Sequence, residues 1–178
     1  MHPRIQQVLA HLDSTRASLQ QAVNDIPEKL RDQRPATDRW SPAEILQHLA
    51  MVEGRLTGML KGKLDEARAA GLSSDANTTP VVPTFDLEGL KDRRTTIVAR
   101  EGSIPDVGVS TAKALNDLSA TRAALRTMVV SADGEDLSSI VAPHGRFGPI
   151  NMYEWLLFIG GHEARHTEQV REAGRMLA

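Results

Sequence analysis

Cysteine is absent from the 178 residues, which removes disulfides and thiolate zinc sites; a metal in this chain would have to use His, carboxylates and water. Aromatic residues make up only 3%, so no stacking platform for bases exists. The 21 Lys and Arg are scattered, net charge is −2, and no basic stripe points to nucleic acid. No run of about 18 apolar residues is present, and Met1-His2-Pro3-Arg4 lacks the apolar core of a signal peptide. The expectation is one domain over residues 1–178, cytoplasmic, with no membrane or nucleic-acid partner.

What is present is helical periodicity. Ile5, Val8, Leu9, Leu12, Leu19 and Val23 predict a first helix from about Arg4 to Asn24, ended by Ile26-Pro27. Residues 27–39 read as a charged connector with one short helical turn. Ser41-Pro42-Ala43-Glu44 is a helix start: Ser41 caps, Pro42 suits the first position and Glu44 completes a capping box. Ile45, His48, Leu49, Val52 and Leu56 then form a buried stripe in a helix that reaches about Ala70 and stops at Gly71. Gly54, Gly58 and Gly62 share one face, either to admit a close neighbour or as tolerated defects.

Residues 71–109 are rich in Ser, Thr, Pro and Gly, with a helix expected over 86–100, and are too long for a tight turn. They suit a crossover along a bundle. A third long helix is expected from Ser110 or Thr111 to about Ser131, closed by Asp133-Gly134. Residues 135–149 read as irregular. Asn151 with Glu154 forms a second capping box, and Trp155, Ile159, His162, His166 and Val170 make the inner face of the last helix. Four amphipathic helices without strand alternation predict an all-α four-helix bundle with a long crossover between helices 2 and 3.

Three histidines fall on those apolar stripes, where an imidazole without a partner is costly to bury. His162 and His166, one turn apart, can grip one metal ion from a single helix. Geometry limits such a pair to two ligands, and His48 is the other histidine on a core stripe. His2, His11 and His144 lack that context; His144, in a Gly/Pro loop, could stand at the mouth of a pocket. His162-Glu163-x-x-His166 also matches the zinc-protease pattern, but neither Glu168 nor Glu172 is placed as the third ligand that chemistry needs. Glu163 is left with two readings, an outer partner or base for the metal, or a solvated helix carboxylate.

These pieces together resemble the DinB/YfiT-like metalloenzyme family. The resemblance is carried by Trp40-Ser41-Pro42-Ala43-Glu44-Ile45-Leu46-Gln47-His48-Leu49, by Phe147-Gly148-Pro149, and by Glu154-Trp155-Leu156 leading into His162-Glu163-Ala164-Arg165-His166-Thr167-Glu168-Gln169. Order and spacing agree over nearly the whole chain. The resemblance implies an up-down-down-up bundle, one divalent ion (zinc or nickel) on His48, His162 and His166, and a homodimer. It further implies chemistry on a small-molecule substrate. Some relatives transfer a low-molecular-weight thiol and others are taken to be hydrolases, so three expectations stand: a thiol-dependent transferase, a hydrolase that activates water at the metal, or a non-catalytic metal- or ligand-binding bundle.

Overall fold

Two capping boxes fix where the longest helices begin. At Ser41 the hydroxyl accepts from Glu44 N at 3.1 Å while Ser41 N donates to the Glu44 carboxylate at 2.8 Å. Asn151 and Glu154 repeat the exchange at 3.1 and 2.7 Å. Each box satisfies two backbone or side-chain groups that a helix end would otherwise leave without partners. A computed structural model of the chain describes residues 1–91 and 102–178. Within them lie α1 (Pro3–Asn24), α2 (Pro42–Ala69), a short α3 (Leu87–Lys91), α4 (Thr111–Ser131) and α5 (Met152–Leu177). The connector after α1 holds the expected single turn, Glu28–Leu30.

Contacts between the four long helices give their directions. His11 of α1 lies against Leu157 of α5, Arg16 against Glu163 and Ile26 against Gly174, so these two helices run the same way. Glu53 meets Arg122 and Arg68 reaches Ser131, so α2 and α4 are also parallel. Leu12 faces Arg122 and Arg16 faces Leu118, which sets α1 against α4. His48 faces His166 and Leu56 lines a small cavity with Ile159, which sets α2 against α5. The bundle is therefore up-down-down-up, and residues 71–109 make the crossover.

The apolar core comes in two parts. One gathers Val8, Leu12, Leu56, Leu60, Leu125 and Leu156. The other gathers Leu19, Val23, Ile45, Leu46, Leu118 and Val170. Between them, at mid-height, each long helix contributes one charged side chain: Arg16, Glu53, Arg122 and Glu163. Two cations and two carboxylates balance within the layer. Burial of an unpaired charge would be prohibitive, so the four hold one another in place.

The crossover is anchored at the bundle's end by Asp75, whose carboxylate accepts from Arg4 Nη1 and from the Tyr153 hydroxyl, both at 2.8 Å. Further along, Val81 N donates to the Gln7 side chain and α3 packs on α5. Only Leu87–Lys91 of the helix expected over 86–100 falls among the described residues as helix; 92–101 lie outside them.

One expectation is corrected and one open alternative is resolved. Residues 135–149 are not wholly irregular: Leu137–Ser139 forms a 3₁₀ turn, and β1 (Val141–His144) pairs antiparallel with β2 (Gly148–Asn151), in the register Val141↔Asn151 to His144↔Gly148. Pro143 and Pro149 sit opposite each other and hide the strands from sequence periodicity, but a two-stranded ribbon is all edge, where proline is tolerated. Of the three glycines in α2, only Gly54 faces a close neighbour, with Thr121 Cγ2 at 3.3 Å from where a Cβ would stand; Gly58 and Gly62 face open space.

Candidate metal centre

The site lies on the seam between α2 and α5. His48 projects from the N-terminal half of α2, and His162 and His166 project one turn apart from α5. Antiparallel packing brings all three together: ring centroids are 5.5 Å apart for His48–His162, 4.7 Å for His48–His166 and 4.5 Å for His162–His166. One ring nitrogen from each lies within 4.8 Å of those of the other two. His48 is buried, at 5% exposure, while His162 and His166 are half-buried. The set thus has a protein side and an open side.

Two of the rings are oriented by hydrogen bonds. His48 Nδ1 donates to the backbone carbonyl of Ser103 at 2.6 Å, so the crossover itself fixes this ring. His166 Nδ1 donates to Gln169 Oε1 at 2.7 Å. A proton held on Nδ1 leaves Nε2 with its lone pair, the form in which imidazole binds a metal. Burial lowers the pKa of His48, with the Ser103 bond opposing and the charge of Arg55 assisting. Burial lowers His162 further, helped by its two histidine neighbours and by Arg165 and Arg55. Near neutral pH both rings are uncharged donors.

Aromatic side chains surround the triad. Trp40 sits 5.1 Å from His48 on one side, and Phe158 sits 5.9 Å from His162 on the other. From Phe158 the run continues through His144 at 4.5 Å to Trp155 and Phe147, and from Phe147 to Phe85. Of the chain's two tryptophans, one tyrosine and three phenylalanines, all but Tyr153 belong to this run. The β-hairpin delivers His144 into it, where Nδ1 accepts from the backbone of Arg146 and Phe147 at 3.1 and 3.3 Å. His144 therefore stands two aromatic rings from His48, beside the triad rather than in it.

Glu163 fits neither of its two readings. It is 1% exposed, and its carboxylate is taken by Arg16 Nε at 2.7 Å and by Arg122 in the central charged layer. It is neither solvated nor a base at the open side of the triad. Its three companions in the layer carry a signal in the sequence, because each interrupts an apolar stripe at helical spacing: Leu12-Arg16-Leu19, Leu49-Glu53-Leu56, Leu118-Arg122-Leu125. A charge on a core stripe signals a buried ion pair as surely as a histidine there signals a partner.

Two glycines next to the triad permit the close packing that positions it. A Cβ on Gly160 would run into the His11 ring of α1, and one on Gly161 into the Leu90 side chain of α3. With both as glycine, α1 and α3 come close to α5 directly before His162.

No helix among the described residues is long and apolar enough to cross a membrane. The chain resembles known proteins in three ways. The DinB superfamily model matches residues 11–170. A Bacillus subtilis (strain 168) relative, the uncharacterized protein YuaE, is 28% identical over 152 residues, covering 82% of this chain and 83% of the relative. The crystal structure of TT2238, a four-helix bundle protein, superposes with a TM-score of 0.58 over 94% of this chain and 98% of that one. Its identity of 19% speaks for the fold alone. With its family model matched over most of its length, the chain belongs to the DinB superfamily.

Proposed function

We propose that the protein is a divalent-metal-dependent enzyme for small molecules, with His48, His162 and His166 as the metal's protein ligands. The observation that carries this is the convergence of three imidazoles from two helices, two of them with Nδ1 bonded so that Nε2 is left as a donor. The donor set fits zinc or nickel, since both accept imidazole nitrogen and the chain offers no thiolate. One nitrogen of each ring lies within 4.8 Å of those of the other two, a spacing that suits a shared ion.

A divalent ion on three neutral ligands supplies Lewis acidity and lowers the pKa of a thiol or water at its open position. The chain's own residues do the rest. Ser103 and Gln169 hold two rings in place, and Trp40 and Phe158 flank the triad. The reaction we assign is transfer of a low-molecular-weight thiol to an electrophile: the thiol gives up its proton, its sulfur bonds to the electrophilic carbon, and that carbon expels its leaving group with the bonding pair. Because the chain has no cysteine, the thiol must come from a cosubstrate.

The test is turnover of a thiol-reactive electrophile with added thiol, before and after loading with zinc or nickel. Loading should raise the rate, and His48→Ala should abolish the gain. An unchanged rate in His48→Ala would remove the assignment. Thiol-independent cleavage of an ester or amide would move it to a hydrolase, and stabilisation by metal without any turnover would leave a binding protein.

A further inference from the structure

The seam that carries the histidines also carries a cation that ligation of a metal does not use. Arg55 follows His48 by seven residues, two turns of α2, and so lies on the same face. Leu56 and Ile159 line one cavity, which brings Arg55 level with Phe158 across the seam. Its side chain is exposed, yet its charge is felt at both His48 and His162.

Other arginines of the bundle are answered by carboxylates: Arg4 by Asp75, Arg16 by Glu163, Arg34 by Glu44 and Arg68 by Glu135. Arg55 forms no ion pair or hydrogen bond among the described residues. Arg165, the other cation felt at His162, is engaged with the Leu90 carbonyl. Neutral imidazoles would leave a bound dication uncompensated, so the loaded site and Arg55 would together present a positive field on the open side.

We propose that Arg55 holds the anionic group of the ligand taken at the histidine site, and that this ligand is a small carboxylate-bearing molecule whose apolar body lies against Phe158. A guanidinium offers two parallel N–H groups that match a carboxylate, a fit an ammonium lacks. Phe158 is half-buried and its ring neighbours both His162 and His144, so it presents an apolar surface at the same level. The proposal rests on the metal reading above.

The test uses the full chain loaded with cobalt(II), whose visible spectrum reports binding, and two probes of like shape, 3-phenylpropionate and its neutral amide. Arg55→Ala should weaken the acid about tenfold and the amide by less than about twofold, with Arg55→Lys recovering part of the loss. Cobalt affinity should not fall in either variant, and loss of the nearby positive charge in Arg55→Ala can only favour the dication. If the acid fails to bind the loaded wild type, or binds it and Arg55→Ala equally, or if both probes weaken alike, the role of Arg55 is overturned while the metal reading stands. If the wild type takes up no cobalt, the metal reading fails and carries this proposal down with it.

Discussion

Arg122 of α4 grips Glu53 of α2 at two points, Nε to Oε1 at 3.0 Å and Nη2 to Oε2 at 2.8 Å. The same guanidinium reaches Glu163 of α5 and, through Nη1, the Leu12 carbonyl of α1. One side chain thus ties together all four long helices at the level where the apolar core is interrupted. The layer fixes the relative height of the helices, and His48 and His162 lie five residues before Glu53 and one before Glu163. Their meeting depends on that height.

Removing Arg122 alone leaves Glu53 and Glu163 buried with only Arg16 to answer them. Arg122→Ala should cost about 3–5 kcal/mol of stability, read as a lower urea midpoint at unchanged slope. Replacing all four charged residues by apolar ones of similar volume should recover most of that loss. A loss under about 1 kcal/mol for the single variant would mean that the layer is solvated in solution.

Asp75 carries a pH dependence with a definite sign. Burial alone would raise its pKa, but hydrogen bonds from Asn77 N, Tyr153 and Arg4 outweigh it and hold the value below the ordinary 3.8. An ionised group depressed in the folded state favours folding at every pH above its unfolded value. That contribution drains away as pH falls through the lower folded value. Wild type should therefore lose stability from about pH 4 downward, and Asp75→Asn should be weaker at neutral pH with a shallower acid slope. Equal slopes for the two proteins between pH 5 and about pH 2 would contradict the assignment.

Gly160→Ala places a methyl group in the His11 ring, which bonds through Nε2 to the Leu157 carbonyl at 3.1 Å. The ring must swing away, at a cost of about 1–3 kcal/mol for overpacking. Thermal melting should show the drop in wild-type background and a smaller one in His11→Ala, where the methyl has room. Equal drops in both backgrounds would show that the ring is not what the methyl meets.

Ser41→Ala removes one acceptor of the first capping box and should cost about 1 kcal/mol. Because α2 then starts less firmly, the backbone amides of Glu44 and Ile45 should exchange hydrogen faster than those near Leu60. Unchanged exchange at Glu44 would argue against the cap.

Helices, caps and the triad were readable because each rests on local chemistry or on spacing within one stripe. His162 and His166 were paired by their own helix, and His48 was found because it interrupts a stripe of Ile and Leu. The hairpin escaped because Pro143 and Pro149 break alternation, and four-residue strands give periodicity little to show. Glu163 was misread for a different reason. Its neighbours in sequence are histidines, whereas its partners, Arg16 and Arg122, lie on other helices. Ser103 could not be found either, since it binds His48 through its backbone carbonyl, which every residue carries.

The central claim is that His48, His162 and His166 share one cation, and zinc titration of untagged protein by calorimetry tests it most directly. The account predicts one zinc per chain for wild type and, for His48→Ala, a weakening of more than about a hundredfold, beyond the loss of an outer hydrogen bond alone. The same stoichiometry and affinity in both proteins would contradict it.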